Sequence, residues 1–176
     1  MKPILVAYAT TYGSTREVAD VVGKALAEAG CDAVVRAARD VRSLDEFSAV
    51  VVGGALYFFR WHKHARRFLS RHQKALQILP VAVFGMGPFN DVEEDYVSAR
   101  RHLDRSLEKH AWLEPGAVGV FGGRFDPPGL KFPHNNPAMK QIPAGDIRDW
   151  EAIRAWAEAL PEALGLAPSG TPTEGA

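Results

Sequence analysis

Short apolar runs recur along the chain and are separated by longer segments of mixed polarity. Each run has three to six residues, rich in valine and alanine, without the polar alternation of a strand that faces water on one side. This pattern predicts strands that are buried on both faces, as in a parallel sheet. The five runs lie at residues 4–8, 33–35, 49–54, 79–84 and 117–121.

Four of the intervening segments carry apolar residues at helical spacing. They lie at residues 14–29, 61–72, 92–110 and 149–164. Ser14 and Glu17 have the spacing of a capping box, which predicts the start of the first helix. Because parallel strands need long crossover connections, the alternation of strands and helices predicts an α/β fold with one parallel sheet.

Two regions depart from this alternation. Residues 124–147 contain five prolines and no clear periodicity, and a connection of that length is usually functional or disordered. Within it, Phe125, Phe132 and His134 either cover a ligand or wrap around the last strand and helix. The final stretch, residues 167–176, is rich in Pro, Ser, Gly and Thr and is predicted to be disordered, so the predicted domain spans residues 1–166.

The charge balance and the cysteine count exclude several classes of protein. With 21 Lys and Arg against 21 Asp and Glu, the formal net charge is zero, which argues against nucleic acid as a partner. One cysteine, Cys31, excludes a disulfide framework, and the scattered histidines predict no metal site. The first apolar run is too short for a signal peptide or an integral membrane segment, so we expect a cytoplasmic protein.

Ligands of open parallel sheets bind beyond the carboxyl ends of the strands. The segment after the first predicted strand combines hydroxyl groups with a glycine at a helix start, which suits a phosphate group. A plain capped helix start is the alternative interpretation. The candidate phosphate-binding residues are Thr10, Thr11, Tyr12, Gly13, Ser14 and Thr15.

Two further segments follow the third and fourth predicted strands. The first is rich in aromatic residues, which indicates either a site for a flat ring or rings of the core, as for Phe58 and Trp61. Its candidate residues are Ala55, Leu56, Tyr57, Phe58, Phe59 and Trp61. The second is either a simple turn or the opposite wall of the same site, and consists of Gly85, Met86, Gly87, Pro88 and Phe89.

In these segments, the chain resembles the flavodoxin-like family of FMN-binding proteins. The phosphate loop at residues 10–15 and the helix start at 16–19 carry the resemblance. It is closer to a subgroup of short flavodoxin-domain proteins that includes menaquinone-dependent protoporphyrinogen oxidase. Residues 53–57, the run Trp61-His62-Lys63 and residues 145–150 carry that similarity.

The resemblance implies a five-stranded parallel sheet in the order 2-1-3-4-5 with helices on both faces. It also implies non-covalent FMN and oxidoreduction with a redox partner protein or a small-molecule electron donor or acceptor. The alternatives are a protoporphyrinogen or quinone oxidoreductase, and a flavin-free flavodoxin fold that serves as an interaction module. The oligomeric state stays open.

The chain departs from the family pattern in four ways. Tyr12 stands where flavodoxins often have Thr or Asp, and no glycine occurs between Ala55 and Trp61. Phe59 is expected to resist a positive φ, so that a peptide flip coupled to flavin reduction is disfavoured. The neutral charge and the long proline-rich segment are also unlike flavodoxins.

Overall fold

A computed structural model of the chain describes residues 2–166, and the predicted tail, residues 167–176, lies outside them. The strands are β1 (Ile4–Ala9), β2 (Ala33–Ala37), β3 (Ala49–Tyr57), β4 (Arg60–Trp61), β5 (Val81–Met86), β6 (Ala117–Phe121), β7 (Arg124–Phe125) and β8 (Gly145–Asp146). The α-helices are α1 (Ser14–Glu28), α2 (Lys63–Arg71), α3 (Gln73–Leu76), α4 (Glu93–Leu107), α5 (Pro137–Lys140) and α6 (Trp150–Ala163).

Five parallel strands form the main sheet in the order β2-β1-β3-β5-β6. Counted along the chain without the short β4, this is the predicted order 2-1-3-4-5, and the flavodoxin-like α/β fold is confirmed. In the register of β3, Gly53 lies beside Tyr8 of β1, and Gly54 lies beside Gly85 of β5. The carboxyl ends of the three central strands therefore meet at one edge of the sheet.

Both faces of the sheet are covered by helices, so alternate residues of each strand enter different cores. Leu5 and Ala7 of β1 pack in a cluster with Phe68 of α2 and Leu103 of α4. Their neighbour Val6 packs in the second cluster, which α1 and α6 complete on the other face. The continuous apolar runs of the sequence arise because neither face of the strands meets water.

The aromatic segment after the third strand is a β-hairpin. β3 continues to Tyr57, and β4 returns antiparallel to it, with Leu56 beside Trp61 and Tyr57 beside Arg60. The two residues between the strands, Phe58 and Phe59, have φ values of 46° and 64°.

Positive φ at both central residues of a two-residue hairpin loop matches the twist of the flanking strands. Phe59 was expected to avoid a positive φ and adopts one, because closure of the tight hairpin outweighs the steric cost that a phenylalanine pays there.

Residues 124–147, which we call the strap, contain local structure. β7 pairs antiparallel with β8, so that Arg124 lies beside Asp146, and a 3-10 turn and α5 fill the interval. The strap thus leaves the sheet after β6 and returns just before α6. Within residues 2–166, no helix has the length and apolar character needed to cross a membrane.

Candidate functional site

A cavity of about 450 Å³ opens at the carboxyl edge of the sheet. The loop before α1, the β3–β4 hairpin and the loop after β5 form its sheet-edge wall, and α4 and the strap close the other sides. Nine of the predicted site residues line it: Tyr12, Ser14, Leu56, Tyr57, Phe58, Phe59, Gly87, Pro88 and Phe89. The three predicted segments are therefore brought together around one space.

The other eight predicted residues lie behind or beside the cavity lining. Four belong to the loop and helix start at its edge, namely Thr10, Thr11, Gly13 and Thr15. Ala55, Gly85 and Met86 are buried within β3 and β5. Gly85 allows close packing there, since a Cβ at this position would lie 3.1 Å from Leu56 Cδ1.

Trp61 is a core residue that the structure separates from the cavity. It is fully buried, and its indole Nε1 donates to the carbonyl oxygens of Gly54 at 3.1 Å and Phe84 at 3.2 Å. The hairpin folds β4 back along β3, which turns Trp61 beneath the sheet edge. Of the two interpretations of this ring, packing in the core is the one that the structure supports.

The start of α1 forms an open cradle. Its N-cap is Gly13, with a φ of 93°, and no side chain caps the helix. The Thr10 hydroxyl accepts a hydrogen bond from Gly13 N at 2.9 Å and holds the preceding turn. The N–H groups of the first helical turn have no partner within the helix, so they present a positive end to a ligand.

The predicted capping box is wrong. Ser14 occupies the first helical position, one residue after the N-cap, so its side chain cannot serve as the cap. Glu17, the expected reciprocal partner, instead pairs with Arg148 and Arg124. Two guanidinium groups attract this carboxylate more strongly than a backbone N–H does.

The side chain of Thr15 is a second feature, besides the uncapped N-terminus of α1, that suits a polar ligand at the cradle. Its side chain is fully buried, and its hydroxyl has no hydrogen-bond partner among the described residues. A buried hydroxyl without a partner is costly, and native structures usually satisfy such groups. A phosphate oxygen bound at this helix start would satisfy it, so the residues present fit a phosphate.

Thr11, the adjacent hydroxyl, already has a partner. Its Oγ1 lies 3.0 Å from Nε2 of His62, and Nδ1 of that ring accepts a hydrogen bond from His64 N at 3.1 Å. Burial, with the nearby charges of His64, Lys63 and Arg66, lowers the pKa of His62 to about 4. The ring is therefore neutral at pH 7.

Aromatic rings crowd the mouth of the cavity. Tyr57 contacts Tyr12 edge-on at 6.1 Å between ring centroids and lies 5.2 Å from His134. Phe58 stacks on the same imidazole at 5.3 Å and 18°. Burial raises the pKa of Tyr57 to about 12, with a smaller contribution from Tyr12, so Tyr57 keeps its proton at neutral pH. A planar ligand entering here would meet several ring faces.

The strap is fastened near its middle and at its return to α6. At the cavity mouth, the Tyr12 hydroxyl lies 2.8 Å from Nδ1 of His134 and accepts from Lys131 N at 3.2 Å. At the return to α6, the buried guanidinium of Arg148 bonds both carboxylate oxygens of Asp146 and one of Glu17. These contacts join the strap to the loop and helix that form the cradle.

The side-chain hydrogen bond between Asp146 and Arg148 is the main reason that the pKa of Asp146 is lowered. The same hydrogen bond is the main reason that the pKa of Arg148 is raised. The guanidinium also lies 4.5 Å from the centre of the Trp150 ring. The pair is therefore ionised across the ordinary pH range and holds the end of the strap.

Sequence reasoning missed the wall formed by α4 and most of the residues that the strap contributes. Asp95, Ser98, Ala99 and His102 line the cavity from one face of α4, and Asn90 precedes them. Their three- and four-residue spacing was a usable signal, although the charged residues around them favoured a solvated helix. The strap contributes Arg124, Phe125, Asp126, Gly129, Leu130, His134, Met139 and Ile142.

Only two of those strap residues were anticipated. Phe125 and His134 line the cavity, whereas Phe132 is 87% exposed and lies outside it. The strap has no periodic pattern, so its sequence could not show which side chains face inward. Within residues 2–166, no three potential metal ligands come together.

The flavodoxin domain family matches residues 5–143, which is most of the chain. The chain belongs to this family. The match covers the cradle, the hairpin, the loop after β5 and nearly all of the strap.

Individual relatives of this flavodoxin domain are distant. Protoporphyrinogen IX dehydrogenase [quinone] of Leishmania major is 22% identical over 192 residues, covering 97% of this chain and 80% of the relative. A flavodoxin from the domain Archaea superposes with a TM-score of 0.58 at 15% identity, covering 93% of this chain and 99% of that one. Flavodoxin 2 of Bacillus cereus gives 0.56 at 17% identity, covering 93% and 97%. The solved structures establish the fold.

Proposed function

We propose that this flavodoxin domain binds FMN at the carboxyl edge of its sheet and uses it in oxidoreduction. The observation that carries the proposal is the buried hydroxyl of Thr15, which has no partner among the described residues and belongs to a helix start without a side-chain cap. A phosphate would satisfy both features, since it accepts from the hydroxyl and from the free N–H groups, and the adjoining cavity is walled by aromatic rings.

Each group of residues has a role in this proposal. Ser14, Thr15 and the free N–H groups of the first turn of α1 would hold the phosphate. The hairpin rings and Phe89 would enclose the flat ring system, and the strap would exclude water from it. Bound FMN supplies one- or two-electron transfer, for which a redox partner protein or a small molecule would be donor or acceptor.

The test is to titrate the cofactor-free protein with FMN and with riboflavin, which lacks the phosphate, following flavin fluorescence. We expect FMN to bind more tightly than riboflavin. Thr15→Val keeps the shape of the side chain but removes the hydroxyl. It should weaken FMN binding by about 10- to 150-fold, the effect of one hydrogen bond to a charged group.

Riboflavin is the matched control, because its affinity should be the same for the wild type and Thr15→Val. Equal affinity of the wild type for FMN and riboflavin would contradict a phosphate cradle. A protein that binds neither flavin would instead favour the flavin-free interaction module, with the exposed Phe58 and Phe59 as part of its interface.

The strap favours a second candidate, oxidation of a large apolar donor. It gives the cavity an apolar wall that includes Leu130, Met139 and Ile142, and the Leishmania relative is named for protoporphyrinogen IX and quinone. The FMN-loaded protein would be given protoporphyrinogen IX with a quinone acceptor. Oxidation faster than with free FMN would support an enzyme of this kind, and no acceleration would favour an electron carrier.

A further inference from the structure

The ring of His62 has a single possible arrangement of its protons. Its Nδ1 lies 3.1 Å from His64 N, and a backbone N–H can only donate, so Nδ1 carries no proton. The residue is 6% exposed, and the ring is neutral at pH 7. The one proton of the neutral ring must therefore be on Nε2.

This assignment fixes the direction of the next hydrogen bond. Nε2 lies 3.0 Å from Thr11 Oγ1, so the imidazole donates and the hydroxyl accepts. The proton of that hydroxyl is then free for another acceptor. Donation thus runs from His62 to Thr11, and the Thr11 hydroxyl is left as a donor in the cradle loop.

Thr11 lies in the loop that leads into the start of α1, next to Thr10, whose hydroxyl holds the turn before Gly13. Because the Thr11 oxygen already accepts from His62, its own proton is available to a ligand at this cradle. A hydroxyl held in this way favours a group that can only accept hydrogen bonds, and a phosphate monoester dianion is such a group.

We propose that His62 is a positioning residue that orients Thr11 as a hydrogen-bond donor toward the phosphate of the bound flavin. This inference rests on the proposed FMN function and adds a residue that lies outside the cavity lining. Its action passes through Thr11, so the two side chains form one unit. Loss of Thr11 should remove the whole contribution to phosphate recognition, and loss of His62 should remove the part that depends on its orientation.

A purely structural role of His62 is to cap α2, and one substitution separates it from the proposed role. His62 is the N-cap residue of α2, where its side chain accepts from His64 N. Asparagine is among the best N-cap residues, so His62→Asn keeps the cap. Its shorter side chain has no donor at the position of Nε2, so the bond to Thr11 is lost. His62→Gln restores an N–H donor at similar reach.

The experiment measures dissociation constants for FMN and riboflavin in each variant. His62→Asn should weaken FMN binding about three- to tenfold and leave riboflavin binding unchanged, and His62→Gln should recover part of the loss. Thr11→Val should weaken FMN binding at least as much as His62→Asn, and the double variant should lose no more than Thr11→Val alone. His64→Asn, which keeps the backbone donor, is the matched control and should leave both constants unchanged.

A second readout needs no flavin. Nitrogen NMR of the cofactor-free wild type should show the His62 ring neutral at pH 7, with its proton on Nε2. A proton on Nδ1 would overturn the inference even if His62→Asn failed to fold. An unchanged preference for FMN in folded His62→Asn would also overturn it. Equal FMN and riboflavin affinity in the wild type would instead contradict the proposed function, while the NMR result would still judge the hydrogen-bond direction.

Discussion

The two sides of the cavity are built by different means. Backbone ladders position the sheet-edge wall, because β1, β3 and β5 pair in register up to its rim. The strap pairs only with itself, through two residues each of β7 and β8. A few side chains fasten it to the rest of the domain, chiefly Tyr12 and Arg148. The first wall is thus as stable as the sheet, whereas the second depends on single contacts.

The two walls therefore have different roles: the sheet-edge wall carries the groups that would bind the flavin phosphate, and the strap controls which molecules can enter the cavity. The polar groups suited to a phosphate, Thr11, Thr15 and the N-terminus of α1, belong to the sheet-edge wall. The strap contributes mostly apolar side chains and sets the width of the cavity. A change in the strap should therefore alter which second molecule reaches the site, and a change at the sheet edge should alter whether the flavin binds.

The largest expected effect comes from releasing the strap at its return to α6. In Arg148→Met, Glu17 and Asp146 lose a shared buried cation, although both carboxylates are half-exposed and regain water. We expect the free energy of unfolding to fall by about 2–4 kcal/mol, since charge-assisted hydrogen bonds are lost at both acids. Urea denaturation measures this loss. The strap should also become the first site of limited proteolysis.

Arg154→Met is the matched control, because it removes a guanidinium that pairs with Glu28 on the surface. Its effect should stay within about 0.5 kcal/mol of the wild type. If Arg148→Met were as harmless as this control, the strap would have to be held by contacts other than Arg148, and the contrast between the two walls would weaken.

The sheet-edge wall could be predicted from the sequence more fully than the strap could. The reason is that regular strands leave a local pattern in the sequence, whereas the strap is held by single side-chain contacts. Strands buried on both faces leave a continuous apolar signature, so the parallel sheet and the three segments at its edge were predictable, and the order of the strands followed from the resemblance to flavodoxins. The capping-box error at Ser14 arose because a local motif ignores Arg148, which lies far along the chain. The hairpin at Phe58 and Phe59 lacks the usual Asn-Gly signal, so the segment looked like a loop. The strap has no repeat, and its inward side chains depend on tertiary contacts.

An acid titration probes the sheet-edge wall through His62. Its pKa is about 4 in the folded protein and near 6.5 when unfolded, so the unfolded state binds the extra proton between these values. The stability that the neutral ring contributes is fully present above about pH 6.5 and is lost as the pH falls toward 4. The loss at pH 5 should be about 2 kcal/mol.

Denaturation curves for the wild type and His62→Asn at pH 7 and pH 5 measure this effect. Other histidines with lowered pKa values, His64, His72, His102 and His110, remain in both proteins and cancel in the difference. The wild type should therefore lose more stability than the variant. Equal losses would mean that His62 titrates normally, and the neutral ring at the cradle would have to be abandoned.

The smallest expected effect concerns the tip of the hairpin, where the sheet-edge wall meets the strap. Phe59 has a φ of 64° and a side chain that is 73% exposed, so its backbone is strained while its ring buries little. Glycine takes this conformation without the Cβ clash that disfavours other residues. Phe59→Ala removes the ring but keeps the clash. We expect Phe59→Gly to be more stable than Phe59→Ala by about 1 kcal/mol, measured as a difference in urea midpoint at constant slope.

Because both variants lose the ring contact with His102, the comparison isolates the backbone. If alanine were as stable as glycine, the hairpin would not hold residue 59 at a positive φ, and the tip would have to be a looser turn than the two-residue loop described above.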